Sequence, residues 1–443
     1  MSIASHLFQS IFHPSEITAL VKYKFFKPKA TVKIRLEQKQ KIRCYEFLDK
    51  TSRSFAAVIK ELDDDVRDAV CIFYLVLRGL DTIEDDMSIS IEKKEPLLRS
   101  FHEILSQKGW TFTKSGPLEK DRQLLVEFDI VIDEFLSLRK EFRDIIADIA
   151  KEMGNGMADY AKNAAHNKYG VQNNEEYDKY CYYVAGLVGV GLTCLFAESG
   201  LENPELVKDT ELSIHMGLFL QKTNIIRDYL EDLLDGRKFW PKEIWSNYVE
   251  DFSDLKESGY ETEALNCLSA IILNALHHAP ECLNYLNKLH NRSVFSFCAI
   301  PQVMAIATLA LMFRNYDTFQ KVVKIRRGES TKLLLKCTNI HEVANIFREY
   351  SRVIIRKNDP KDPNFMKISV ACGKIEKWCA VNLPVTDIYP YSTTIKGDLF
   401  NQETDILLFI GFGLLALTAY LLYYYNWEHF SFDELKISNI FDA

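Results

Sequence analysis

The ten cysteines of this chain contain no C-x-x-C pair and no zinc-like spacing, which removes the usual sequence signatures of a zinc site and of a dithiol redox motif. They read as free thiols in a reducing compartment. Basic residues are in deficit, 54 against 62 acidic, and the net charge of −8 with a pI near 5.8 leaves no general basic surface for a phosphate backbone. Nucleic acid is therefore not an expected partner, and any anionic substrate needs local cations. Period-two alternation bounded by hairpin turns is scarce, which argues against a sheet. Fixed-period repeats, low-complexity stretches and an internal Pro/Gly/Ser-rich linker are also missing, so nothing divides the body of the chain. The beginning, MSIASHLFQSIFHPSE, lacks the basic start, unbroken apolar run and small-residue cleavage site of a secretory signal, so the body is expected in the cytosol.

What is present is helical spacing of apolar residues from roughly residue 35 to residue 380. Leu124, Leu125, Phe128, Val131, Ile132, Phe135, Leu138, Phe142, Ile145, Ile146 and Ile149 predict one long amphipathic helix. Similar stretches run from about Glu46 to Asp85, Tyr177 to Ser199, Thr210 to Asp232, Glu263 to Leu289, Val303 to Tyr316 and His341 to Arg356. The expectation is an all-α fold: one large helical domain over residues 1–380, with a central apolar cavity. Residues 381–405, with Pro384 and Pro390, read as a tether. Residues 406–425, ILLFIGFGLLALTAYLLYYY, are uncharged over a helical length of about 30 Å and read as a membrane span. Tyr423, Tyr424, Tyr425 and Trp427 supply interfacial rings, and residues 426–443 form a short tail, which together suggest a post-translationally inserted tail anchor.

Two acidic motifs carry the chemistry. In Leu77-Arg78-Gly79-Leu80-Asp81-Thr82-Ile83-Glu84-Asp85-Asp86, the carboxylates of Asp81, Glu84 and Asp85 fall at i, i+3 and i+4 on one helix face. Such a face repels itself unless cations sit on it, and Mg²⁺ suits it by taking carboxylate oxygens while leaving positions for water and substrate phosphates. An acidic helix face alone is also commonly just solvated. The second motif, Gln221-Lys222-Thr223-Asn224-Ile225-Ile226-Arg227-Asp228-Tyr229-Leu230-Glu231-Asp232, puts Asp228 and Asp232 one turn apart at the end of another apolar helix. Two such clusters suggest a metal site across a helical cavity, with arginines nearby to grip diphosphate oxygens. A diphosphate held in this way becomes a leaving group, and its allylic carbon–oxygen bond can ionise to a carbocation if water is kept out. The 28 Phe and 21 Tyr can line such a pocket, although most serve ordinary core packing.

The segments TSRSFAAVI (51–59), FYLVLRGLDTIEDDM (73–87), MGNGMADY (153–160), YCYYVAGLVGVGL (180–192), GLFLQKTNIIRDYLED (217–232), FCAIPQVMAIATLA (297–310) and VKIRRG (323–328) resemble those of squalene synthases. The resemblance implies head-to-head condensation of two farnesyl diphosphates to presqualene diphosphate, then NADPH-dependent rearrangement to squalene for sterol synthesis. It implies that Asp81, Glu84, Asp85, Asp228 and Asp232 hold Mg²⁺. Arg53, Arg78, Arg227, Arg237, Lys324 and Arg326 match diphosphate-binding cations, with Asn224 beside them in the second motif. Tyr180 matches a tyrosine that removes a proton as the cyclopropane closes, a role for which a phenol with an ordinary pKa near 10 needs assistance. Phe297 matches an aromatic of the second half-reaction, and core packing explains it equally well. The resemblance also implies an endoplasmic reticulum membrane location and a monomeric catalytic body. A phytoene synthase, which omits the reduction, is the neighbouring alternative. Gly79 stands where the family usually has Ala, which loosens the helix before Asp81. The run Gly186-Leu187-Val188-Gly189-Val190-Gly191 has no preceding strand, so it is expected to provide close packing against the substrate chain rather than a dinucleotide turn.

Overall fold

The computed structural model describes residues 13–25, 32, 34–35, 37–162 and 169–383, apart from the side chains of Arg53 and Ser54. The predicted membrane span 406–425, the tail 426–443 and the tether beyond residue 383 lie outside them. Among the described residues the secondary structure is entirely helical, as the apolar periodicity predicts. The helices are α1 (Pro14–Phe25), α2 (Lys39–Thr51), α3 (Arg53–Lys60), α4 (Asp64–Asp85), α5 (Ile91–Ile104), α6 (Arg122–Val126), α7 (Phe128–Ser137), α8 (Lys140–Lys162) and α9 (Asn174–Cys181). A π-helical turn, Tyr182–Gly186, leads into α10 (Leu187–Glu198). There follow α11 (Thr210–Arg227), α12 (Tyr229–Leu234), α13 (Lys242–Trp245), α14 (Glu261–Leu276), α15 (Ala279–Asn287), α16 (Arg292–Met312), α17 (Arg327–Lys336), α18 (Ile340–Lys357) and α19 (Phe365–Asn382).

The chain divides into two units. The larger comprises residues 30–325 and 336–384. The smaller comprises residues 1–29, 326–335 and 385–443, and its described part holds α1 and most of α17. Within the smaller unit Arg326 clasps the buried Glu16, with Nη2 donating to Oε1 at 2.7 Å.

The helix expected across residues 124–149 is three helices. The chain leaves helical geometry at Glu127 (φ −114°, ψ 31°) and again at Leu138 (φ −68°, ψ 158°). A 3.6-residue pattern persists across such breaks because consecutive helices bury the same side against one core, and no Gly or Pro marks these two. The stretch from Glu46 to Asp85 likewise breaks at Ser52, which is extended and caps α3 by accepting from Phe55 N–H at 3.1 Å. Conversely, α16 begins earlier than the expected Val303 and runs through Pro301.

In the larger unit α11 lies centrally, packed against the π-helical turn and helices α10, α14, α15 and α16. Close approach depends on glycine. A Cβ on Gly217 would stand 2.2 Å from the Ala185 carbonyl oxygen, and one on Gly189 would stand 2.2 Å from that of Ser213. The glycine run in residues 186–191 therefore packs helix on helix, as at Gly189 against Ser213, with Gly191 against Phe73. Two stretches, Asn174–Glu198 and Arg292–Met312, are apolar and long enough to cross a membrane by length and composition, yet 78% of the apolar window in the second is buried inside the protein, as befits a core helix.

Gly79 also has a packing role. A Cβ there would meet Phe128 Cε2 at 2.6 Å, and that ring is itself held between Phe101 (5.3 Å between centroids) and Trp110 (5.7 Å). Gly79→Ala gains about 1 kcal/mol of helix propensity but overpacks by about 1–3 kcal/mol. We expect a lower melting temperature for Gly79→Ala, recovered when Phe128→Leu is added, read as the coupling in a double-mutant cycle of denaturant melts.

Candidate active site

The polar end of the site is built where α4 and α11 finish. Helix α4 has no basic residue in its last turn, and instead carries Asp81, Glu84 and Asp85 there, next to its own partially negative C-terminus. Two devices secure this end. Lys94 Nζ, from α5, donates to the Glu84 carbonyl at 2.5 Å, and the buried Asp86 ends the helix by accepting from Ser88 N–H at 2.9 Å and Gly116 N–H at 2.8 Å. Burial pushes the Asp86 carboxyl up, but the bonds from Ser88 and Gly116 hold it below the usual range. Asp81 and Glu84 lack such backbone donors. Burial, then Asp85, drives Asp81 up to about 7 against the pull of Arg78, while burial with Asp85 and Asp81 drives Glu84 to about 8.

Helix α11 ends at Arg227, and Asp228 (φ −93°, ψ 14°) turns the chain into α12, whose first turn carries Asp232. Burial pushes Asp232 up to about 7, opposed by Arg237. Gly236 (φ +76°) then closes α12 with a paired cap: its N–H reaches the Leu233 carbonyl at 3.1 Å, and Arg237 N–H reaches that of Asp232 at 2.7 Å. This reversal returns the Arg237 side chain to the acids. Its Nη2 lies 3.0 Å from Asp232 Oδ1 and its Nη1 lies 3.3 Å from Asp85 Oδ1. One guanidinium thus joins the two acidic clusters, 147 residues apart along the chain between Asp85 and Asp232.

Below this end runs an apolar cavity of about 240 Å³. On α4 its wall is Val70, Phe73, Tyr74, Leu77, Arg78 and Asp81. On α11 it is Ser213, Met216, Gly217, Leu220, Gln221 and Asn224. Both stripes step by 3, 1, 3, 1 and 3 residues, rise about 16 Å, and change from apolar to polar at the C-terminal end, where the clusters stand. Arg78 sits on this boundary, donating to Tyr74 Oη at 3.3 Å and lying 3.8 Å from Asp81 and 3.9 Å from Asp121. Arg227 grips its neighbour Asp228 with two bonds, at 2.8 and 2.7 Å.

Tyr180 is buried at the end of α9, its ring stacked on Phe239 at 5.1 Å and edge-on to Tyr160 at 5.2 Å. Burial, then Glu84 and Asp85, holds its phenol well above its ordinary range, so in this state it is a proton carrier and not a base. Lys222, only 1% exposed, fixes α9 against α11 by pairing with Asp178 at 2.5 Å and Asn274 at 2.6 Å. Phe297 lines the apolar part of the cavity and meets Phe196 edge-on at 5.8 Å. Arg53 opens α3, Lys324 is exposed on the loop before α17, and Arg326 belongs to the smaller unit.

Among the described residues no three carboxylate, histidine or cysteine side chains form a ready-made metal cage. The donors nevertheless suit a hard divalent ion: all are carboxylates, they oppose one another's ionisation, and a guanidinium already occupies the space between Asp85 and Asp232. A set this sparse fits an ion whose remaining oxygens come from water and a bound phosphate. Asp121 and Lys94 are site residues outside the motifs, while Tyr74 and Asp86 lie within the segment 73–87, which gives them no role by itself. Gly236 had left a trace, since a glycine just after LEDLLD is a helix-stop signal that would have placed Arg237.

Residues 48–329 match the family model for squalene/phytoene synthases. The squalene synthase of Schizosaccharomyces pombe is 56% identical over 336 residues, covering 76% of this chain and 73% of that protein. That of Yarrowia lipolytica is 49% identical over 423 residues, covering 94% and 95%. A solved complex of TcSQS with the ligand E5700 superposes with a TM-score of 0.75 at 42% identity, covering 78% of this chain and 99% of that one. The chain belongs to the squalene/phytoene synthase family, on its squalene synthase side.

Proposed function

We propose that this chain condenses two farnesyl diphosphates head to head into presqualene diphosphate and reduces that product with NADPH to squalene, the entry to sterol synthesis. The observation that carries the reading is the convergence of the two acidic clusters on Arg237 at the polar end of an apolar cavity. Mg²⁺ held by Asp81, Glu84, Asp85, Asp228 and Asp232 would supply the positive charge that makes diphosphate a leaving group. The chain's own residues supply the rest. Arg78, Arg227 and Arg237 offer guanidinium donors to diphosphate oxygens, and Arg53, Asn224, Lys324 and Arg326 are assigned to the same task. The cavity walls on α4 and α11 hold the prenyl chains in line with that end and exclude water from the cations. Tyr180 is placed to hold a proton beside the acids, and becomes a base only when bound cations offset Glu84 and Asp85. Phe297 presents its ring to the deeper cavity, where it can face a rearranging cation. The glycine run, used for helix packing, offers no nucleotide turn, so NADPH enters this reading through family membership. Residues 406–425 anchor a monomeric body, residues 1–380, to the endoplasmic reticulum membrane in the same proposal.

The purified protein in detergent, given farnesyl diphosphate and Mg²⁺, is expected to accumulate presqualene diphosphate without NADPH and squalene with it. Phytoene-type desaturated product, or no consumption of farnesyl diphosphate, would overturn the assignment. Asp81→Asn and Asp228→Asn are each expected to lower turnover by about 10²-fold or more. The metal-free melting temperature of Asp81→Asn should not fall, because it removes a charge from a self-repelling cluster, whereas that of Asp228→Asn should fall, because Arg227 loses its paired carboxylate. The pH dependence has a definite sign. Asp81, Glu84 and Asp232 are raised to about 7, 8 and 7, so their ionisation costs nothing below the ordinary carboxylate range and opposes folding as pH climbs through 5 to 8. Metal-free melting temperature should therefore decline over that window, and the gain from added Mg²⁺ should be larger at pH 8 than at pH 6.

A further inference from the structure

The far end of the cavity is electrically one-sided. Gln302 lines it and is 1% exposed. Its Nε2 donates to the Met216 carbonyl at 3.1 Å, and since a carbonyl can only accept, the amide orientation is fixed and Oε1 is the remaining acceptor. That Oε1 is buried with no hydrogen-bond partner. An unpaired amide carbonyl in an apolar wall is unfavourable, so its retention calls for an occupant that rewards it.

The hydroxyls of the neighbouring wall have their protons committed elsewhere. Ser213 donates to the Thr210 carbonyl at 2.7 Å and Thr193 to the Gly189 carbonyl at 2.9 Å. The 2.7 Å contact between Thr193 and Tyr285 must then carry the tyrosine's proton, leaving Tyr285 with lone pairs only. Pro301, inside α16, has no N–H for the Phe297 carbonyl four residues back, and Phe297, Cys298, Pro301 and Gln302 together form the cavity-lining face of that helix. The wall at this end is thus rich in acceptors, with the weak S–H of Cys298 the one thiol among its lining residues.

A prenyl chain has no donors for such a wall. A carbocation on that chain does interact with it, because carbonyl and hydroxyl dipoles aimed at positive charge in a dry site are strongly stabilising. Met216 precedes Asn224 by eight residues on α11, so Gln302 meets this wall about 12 Å of helix rise from the polar end. That distance separates it from the ionisation of the diphosphate and places it beside Phe297. Resting on the function proposed above, we infer that the Gln302 side-chain carbonyl is an electrostatic stabiliser of the carbocation in the reductive second step. It donates no proton and, as a neutral amide, is too weak a base to remove one. The cation therefore survives until hydride reaches it and is not diverted into an alkene or an alcohol.

The test separates the two half-reactions in the full-length protein. Gln302→Met keeps length and apolar volume but removes the dipole. Gln302→Glu, protonated in this apolar wall, donates to Met216 and keeps an acceptor oxygen. For Gln302→Met, presqualene diphosphate formation without NADPH is expected to stay within about threefold of the native rate. Its NADPH-dependent conversion to squalene is expected to fall about tenfold or more, with alcohol or alkene by-products appearing, and Gln302→Glu is expected to restore most of the squalene. Equal losses in both half-reactions, an unchanged product ratio, or no rescue by Gln302→Glu would overturn the inference. Native protein that fails to form presqualene diphosphate would instead overturn the proposed function, so the two failures are distinguishable.

Discussion

The structure depends on one electrostatic constraint: carboxylates from two distant segments are brought together at the negative end of a long helix. Asp81, Glu84 and Asp85 crowd the last turn of α4, where the aligned peptide dipoles already oppose negative charge. Asp232 faces them from α12 with only Arg237 between. Such an arrangement is unfavourable by itself, and its cost shows in the raised carboxyls of Asp81, Glu84 and Asp232. Everything around it serves to maintain it. Lys94 and Asp86 secure the end of α4, and Gly236 turns the chain so that Arg237 comes back. The packing of α11 by glycine contact keeps the second cluster in register with the first.

Carboxylates bridged by a guanidinium at one end of the cavity and lone pairs at the other would suit successive stages of cation chemistry in the proposed function. In that proposal the polar end takes a leaving group that departs as an anion. By the further inference, the deep end serves the hydrocarbon cation left behind. Between them, stripes of identical spacing on α4 and α11 make a wall whose length follows from helix geometry. The π-helical turn Tyr182–Gly186 lies on this wall, with Val184 and Ala185 lining the cavity and the Ala185 carbonyl against Gly217. Such single wide turns inside helices recur at functional sites because they re-aim the side chains that follow.

Much of this was readable in advance. Apolar periodicity specified the helical class, and the spacing of Asp81, Glu84 and Asp85, repeated in kind by Asp228 and Asp232, specified the acids. What the residues could not disclose was geometry that depends on contacts between segments. Breaks at Glu127 and Leu138 left no sequence mark, since the same face stays buried on both sides. Asp121 reaches Arg78 from a loop whose composition is unremarkable for a turn, and Gln302 looks like one more helical residue until its partner on α11 is known. Gly79 is a related case: a missing Cβ suggests a looser helix, and only the contact shows that it is also the space filled by Phe128.

Because Arg237 spans both clusters, the resting enzyme carries its own counterion. In the proposed function an incoming phosphate would find that guanidinium already in position, and the carboxylates it neutralises would be the ones to hold an accompanying ion. Occupancy and release would then be an exchange of partners around one arginine, with the two acidic segments bridged in the empty state as well.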